Sequence, residues 1–198
     1  MNLVLEHIEL PIRIRTDRPM TDEELGRFCA ENEPFQVERD ANGDLIVMSP
    51  NWTEGGGLEG EVGRHLGNWS EADGRGKYFG SNSGFSLADT SLRAADAAWV
   101  RLDRWNALTP EQRSKFVQIC PDFVIEVRSG TDRLPPLREK MASWTANGAE
   151  LAWLIDPQRK VVEIYRPGED PELHENPTSV QGTGPVRGFE LVMDKIWG

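Results

Sequence analysis

With 198 residues, 38% of them hydrophobic and 28% charged, the chain is long enough for one packed domain and short for two. Its 22 basic against 33 acidic side chains leave a net charge of −11, which excludes a protein that grips nucleic acid through overall basicity. Any phosphate binding must use a local cationic strip or the positive field of a metal site.

No segment approaches the roughly 18 apolar residues of a transmembrane helix, and the start MNLVLEHIELPIRIRT does not read as a signal peptide. Cys29 and Cys120 occur without a CxxC pair, so they read as plain buried thiols of a cytoplasmic protein.

In chain order, residues 1–20 read as an extended N-terminal arm with apolar Ile8, Leu10, Ile12 and Ile14. Thr21 and Glu24 form a capping box that opens a helix to about Asn32. Phe35–Glu38 and Leu45–Met48 read as strands joined at Asn42-Gly43, a hairpin signal. Pro50 to Gly57 reads as a loop. Leu58, Val62, Leu66 and Trp69 then mark one face of a helix to Ala72. The acids at its start, Glu54, Glu59 and Glu61, suit the positive end of the helix dipole, and Glu61 is the one expected to face a site.

Short strands follow at Lys77–Phe79 and Gly84–Leu87, and a third at Asp96–Val100. Thr109-Pro110 opens a helix to Lys115. Pro121–Val127 reads as a strand holding Glu126 in an apolar run, and Leu137–Asn147 as a helix stopped by Gly148. Strands at Leu151–Ile155 and Val161–Tyr165 flank the Asp156-Pro157 turn. Pro167–Gly188 reads as mostly loop, before a last strand at Phe189–Val192. This order implies a single α/β domain, 1–198, with a mixed sheet and helices packed on it.

Two acids carry the chemical argument. Asp96 opens one strand among Ala97, Ala98 and Trp99, and Glu126 lies in another between Ile125 and Val127. A carboxylate in such surroundings is costly unless paired or metal-bound, and an acid inside a strand runs against propensity. Strand alternation sets Asp122, Val124, Glu126 and Arg128 on one face. Carboxylates on rigid strands suit a hard cation such as Mg²⁺, which can polarise a phosphodiester and activate water. A structural salt bridge to Arg93 or Arg128 is the alternative. Lys140 lies early in the next helix, where a surface role is the ordinary one and stabilisation of developing charge the functional one.

The segments ERDANGDLIVMSP (38–50), SNSGFSLADTSLRAADAAWVRLDRWNALTPEQ (81–112), CPDFVIEVRSGTDRLPPLREKM (120–141), ANGAELAWLIDP (146–157) and VVEIYRPGED (161–170) resemble the Uma-type family of putative restriction endonucleases, within the PD-(D/E)XK superfamily. The resemblance covers the chain after about residue 20. It implies a restriction-endonuclease-like α/β fold, in which a mixed β-sheet core is flanked by helices. It also implies a Mg²⁺- or Mn²⁺-dependent endonuclease acting on DNA, commonly as a homodimer.

Residue by residue, the resemblance makes Asp96 the first metal-binding acid and Glu126 the acid of the D/E-X-K element. Lys140 becomes the lysine supplied from the helix, and Glu61 an acid completing the metal site; Asp122 stands in the Pro-Asp that precedes the strand. The chain departs from the pattern at Ala95 and Gly130, where Pro is usual, and at Arg128, which stands where the superfamily's lysine would be and is too basic to act as a base. Gly55–Gly57 also loosens the entry to the Glu61 helix. These departures keep open a catalytically silent domain that binds a partner or a second copy.

A hydrolase of small phosphate esters finds no support, because HExxH, GxGxxG, a phosphate-binding loop and a nucleophile elbow are all missing. His7, His65 and His174 are scattered. Trp99, Trp105, Trp144 and Trp153 read as packing, whereas Trp52 and Trp69 are candidates to stack on a base. Arg101, Arg104, Arg113, Lys115, Arg133 and Arg138 form the one weakly basic strip.

Overall fold

The computed structural model describes Leu3, residues 10–50 and residues 53–198. Residues 1, 2 and 4–9 of the proposed arm, Ile8 and His7 among them, and Trp52 therefore lie outside the described residues. The first elements are β1 (Ile12–Ile14), α1 (Asp22–Glu31), β2 (Gln36–Arg39), β3 (Leu45–Met48) and α2 (Thr53–Asp73). Next come β4 (Gly76–Gly80), β5 (Gly84–Ser86), β6 (Leu92–Ala94), β7 (Ala97–Arg101), α3 (Leu102–Asn106), α4 (Pro110–Arg113) and β8 (Val117–Gln118). The last part holds β9 (Phe123–Val127), α5 (Leu134–Ala146), β10 (Leu151–Asp156), β11 (Val161–Tyr165), β12 (Glu172–Glu175) and β13 (Ser179–Gln181). A 3-10 turn at Gly184–Val186, β14 (Glu190–Val192) and α6 (Asp194–Trp197) complete it.

The chain divides into two compact units. The first comprises 1–51, 84–94 and 109–119. Its sheet has the order β1-β3-β2-β6-β5-β8. The capping box of Thr21 and Glu24 closes both ways and starts α1, whose Leu25 and Phe28 pack with Leu45 and Leu92. Gly43, at φ 86°, makes the turn of the β2–β3 hairpin. Arg39 is buried and satisfied, donating to the carbonyls of Met20 and Thr90 and to Asp22.

The second unit comprises 52–83, 95–108 and 120–198 and contains Asp96, Glu126 and Lys140. Its main sheet runs β12-β11-β10-β9-β7-β4, with β9 and β10 parallel and the other neighbours antiparallel. Alternation gives the sheet two unlike faces. Phe123, Ile125 and Val127 of β9 point to one of them, with Trp99, Trp153 and Ile164. There they join Val62 and Leu66 of α2 and Phe189 and Leu191 near the β13–β14 ribbon. Val124 and Glu126 point to the other face, which α5 covers.

Two glycines permit close approach. A Cβ at Gly76 would lie 2.1 Å from the ring of Trp99, and one at Gly63 would lie 2.3 Å from the hydroxyl of Tyr78. The second contact lets β4 lie close against α2.

Several element boundaries differ from expectation. The helix α2 begins at Thr53, so Gly55–Gly57 belongs to its opening turns and not to a loop. Glycine costs about 1 kcal/mol in a helix interior, and the face formed by Leu58, Val62 and Leu66 carries the segment despite that penalty. Similarly, α5 starts at Leu134, because Pro135 and Pro136 fall in the first turn, where no intrahelical N–H is needed. The segment 167–188 contains β12, β13 and the 3-10 turn. Its strands are short and polar, and they hold by pairing with β11 and β14 instead of by an alternating apolar pattern. The short elements β6, α3, β8 and α6 were likewise too brief for periodicity to reveal.

Among the described residues no helix is long and apolar enough to cross a membrane. Cys29 and Cys120 are free thiols, Cys120 buried and Cys29 half-buried.

Candidate active site

The antiparallel pairing of β7 with β9 sets Ala97 opposite Ile125 and Ala98 opposite Val124. Continued by one residue, this register places Asp96 across from Glu126. Side chains at opposed positions share a face, so the two acids are neighbours by strand geometry alone. Asp96 sits in the bend before β7 and reaches over the end of β9, where its Oδ2 accepts the backbone N–H of Val127 at 2.6 Å.

Glu126 is almost fully buried, 3% exposed. Its carboxylate is held from α5 by two residues one helical turn apart. Lys140 Nζ donates to Oε2 at 3.0 Å and lies 3.0 Å from Oε1 as well, while the indole N–H of Trp144 donates to Oε1 at 2.9 Å. The helix thus supplies one charged and one neutral donor at positions i and i+4, which share a helix face. The structure therefore brings Lys140 to Glu126. Neither acid uses the salt bridges considered above, since Arg93 pairs with Glu38 and Arg128 pairs with Asp156 at 2.9 Å.

Asp96 is half-buried and its surroundings are acidic. Burial, followed by the charge of Glu59, pushes its carboxyl up to about 7. Lys140 and the Val127 N–H oppose that rise, and Asp132 adds to it. Asp132 itself accepts the N–H of Ser129, and the Arg128 guanidinium bonds its carbonyl, so the turn after β9 is pinned near the site.

The glutamate of α2 that acts on Asp96 is Glu59. Glu61 turns elsewhere: it pairs with Arg64 at 2.5 Å and His65 at 3.2 Å, with Lys195 of α6 at 3.9 Å. The Arg64 hydrogen bond holds its carboxyl at about 2. Sequence held the signal for this. Glu59 lies seven residues before buried Leu66, about 20° from it on the helical wheel, whereas Glu61 lies about 140° away. Among the described residues no group of three or more His, Cys, Asp or Glu side chains forms a ready-made metal cage.

Other sequence candidates are engaged in structural contacts. Asp122, 1% exposed, takes the guanidinium groups of Arg101 and Arg104, and Arg101 also binds Glu150. Arg138 binds the buried Glu163, and in the first unit Lys115 pairs with Glu23. The basic strip is thus largely committed within the protein. Trp69 packs against Trp99 and Phe189, at 5.9 and 5.5 Å between ring centroids, and serves the core. The four tryptophans read as packing are all buried, although Trp144 has the additional bond to Glu126.

Residues 22–194 match the family model of Uma2, described as putative restriction endonuclease. The chain belongs to the Uma2 family. Among solved structures, this Uma2 chain is similar to a putative nuclease belonging to DUF820 from Anabaena variabilis ATCC 29413. That similarity has a TM-score of 0.73 and 18% identity over 90% of this chain and 98% of the other. At that identity the likeness establishes the fold, an α/β arrangement of mixed sheets with flanking helices of the nuclease type. No curated protein matches the Uma2 chain.

Proposed function

We propose that this Uma2 chain is a Mg²⁺- or Mn²⁺-dependent endonuclease that hydrolyses DNA phosphodiester bonds, with Asp96, Glu126 and Lys140 as its working residues. The observation that carries the reading is the convergence of Asp96, Glu126 and Lys140 at the paired ends of β7 and β9. Family membership supports nuclease chemistry, and DNA is the substrate that chemistry implies.

The donor set fits a hard cation. Asp96 is an acid raised by burial and by other acids, so a divalent charge beside it relieves both penalties, and carboxylate oxygens are the ligands Mg²⁺ takes. Asp96 and Glu126 would hold the ion. We place Glu59 beside them in preference to Glu61, because Glu59 is the helix acid that acts on Asp96. When bound, the ion supplies Lewis-acid polarisation of the scissile phosphate and a more acidic water.

The chain's own residues do the rest. Strand pairing fixes the two carboxylates relative to one another and so removes orientational freedom in advance. Lys140, tethered to Glu126, sets an ammonium where it can donate to an anionic phosphate oxygen as charge builds. Arg128 stays on Asp156 and holds the turn that carries Asp132.

The test is nicking of supercoiled DNA with Mg²⁺ or Mn²⁺ by the intact chain and by Asp96→Asn and Glu126→Gln. Cleavage by the native chain that both variants lose is the expected result. Equal cleavage by all three would overturn the assignment. A second reading, a catalytically silent nuclease-fold module that binds a partner or its own copy, draws on the two donors already seated on Glu126. Calorimetric titration with Mn²⁺ separates the two, since the silent module takes up no ion at millimolar metal.

A further inference from the structure

The hydrogen bond between Trp144 and Glu126 does more than satisfy a buried indole. Trp144 is fully buried and its N–H ends on Oε1 of Glu126 at 2.9 Å. Its backbone is fixed as well: its carbonyl accepts the N–H of Ala149 at 3.1 Å and faces the thiol of Cys120 at 3.6 Å. The next residues, Glu150 and Leu151, bond the carbonyl of Asp122 at the start of β9. The end of α5 is therefore tied to the strand that carries Glu126, and an indole with only two side-chain torsions holds its N–H in one place.

Lys140 offers no such constancy. Its ammonium rides on a flexible four-carbon stem, and it repels any cation that Glu126 comes to hold. When Lys140 withdraws, a buried carboxylate oxygen with no fixed donor loses its orientation. A neutral N–H has no charge to repel and can remain in place.

We propose that Trp144 is a positioning residue for the active site: it holds Oε1 of Glu126 through its indole N–H, so that the carboxylate keeps one orientation as Lys140 exchanges for the metal ion and substrate phosphate. This rests on the reading of Asp96 and Glu126 as the metal-holding pair. Groups that orient metal-binding carboxylates contribute about 10- to 100-fold to affinity or activity, and Trp144 belongs to that class.

The test uses the full chain and Mn²⁺ alone, by calorimetry, beside DNA-cleavage kinetics and thermal unfolding. Trp144→Phe keeps an aromatic ring and removes the N–H. About tenfold weaker Mn²⁺ binding is expected, with kcat lowered, KM for DNA little changed and one cooperative unfolding transition at a lower midpoint, since a buried carboxylate loses a donor. In a Glu126→Gln background the same substitution should weaken Mn²⁺ binding no further, because the effect passes through Glu126. If Trp144→Phe fails to fold, benzothienylalanine at position 144 preserves the ring shape and still lacks the N–H. Unchanged Mn²⁺ affinity in a folded variant overturns the positioning role and leaves the metal-site reading standing. An equal loss in the Glu126→Gln background also overturns it. If the native chain itself takes up no Mn²⁺ at millimolar concentration, both readings fall together.

Discussion

Asp96 accepts the backbone N–H of Val127, so a side chain that precedes β7 is anchored on the last residue of β9. That bond fixes where the acid sits without neutralising it. Burial and the charges of Glu59 and Asp132 raise its carboxyl to about 7, against the partial relief of Lys140. The folded chain therefore binds this proton more tightly than the unfolded chain does, and the contribution of Asp96 to stability is greatest below the unfolded value near 4. It falls as pH rises from there through about 7 and is level above.

Asp96→Asn removes that slope and keeps an oxygen to accept from Val127. The variant should be more stable than the native chain at pH 8 by about 2 kcal/mol, after allowance for the partial exposure of the site. At pH 4 the difference should vanish. Urea unfolding at the two pH values measures it. A stability gain paired with loss of cleavage is what a strained functional acid produces.

Lys140 and Glu126 form a largely buried pair, with 15% and 4% of their side chains exposed. Lys140→Met removes the cation and leaves a buried carboxylate, at a cost of about 3–5 kcal/mol. Adding Glu126→Gln should recover more than half of that loss, because a neutral amide can still accept from Trp144. The comparison of single and double variants by urea unfolding isolates the coupling. A double variant no more stable than Lys140→Met would show that the two residues do not act on one another.

Arg138 and Glu163 supply a control on the same face of the sheet. Burial acts to raise the carboxyl of Glu163, but hydrogen bonds from Arg138 and Tyr165 outweigh it and hold it low. A lowered folded value contributes stability above the unfolded value near 4, and the contribution is lost as pH falls through the folded value. In Arg138→Met burial has lost its main opponent. The variant should be about 2 kcal/mol less stable at pH 7, with the deficit shrinking toward pH 4 as Glu163 takes a proton. Its Mn²⁺ affinity should match that of the native chain, since the pair does not touch Glu126.

How much of this was legible in sequence depended on the kind of signal. Asp96 and Glu126 were visible because ionised acids in apolar strands need a reason, and strand register then brought them together. The contact of Lys140 with Glu126 is invisible to spacing, since it depends on how α5 crosses the sheet; only the family resemblance pointed to it. Trp144 was read as packing, which its burial bears out, but no sequence pattern tells which way an indole N–H points. Polar β12 and β13 escaped notice because their pairing relies on backbone hydrogen bonds, which leave no apolar period.

The two glutamates of α2 give the sharpest comparison, because they differ by only two positions. Sequence favoured Glu61 through family resemblance, whereas helical phase puts Glu59 on the side that reaches Asp96 and leaves Glu61 with Arg64, His65 and Lys195. Glu59→Gln removes a negative charge that raises Asp96, so the Asp96 carboxyl should titrate lower and the pH slope of stability should flatten. The same change removes a carboxylate from the proposed ion site, so Mn²⁺ binding should weaken about tenfold or more. Glu61→Gln should leave both the slope and the affinity close to native. Calorimetry with Mn²⁺ on the two variants, beside urea unfolding at pH 5 and pH 8, checks both parts. If Glu61→Gln weakens binding and Glu59→Gln does not, the helix acid of the site is Glu61 and the assignment made from helical phase is lost.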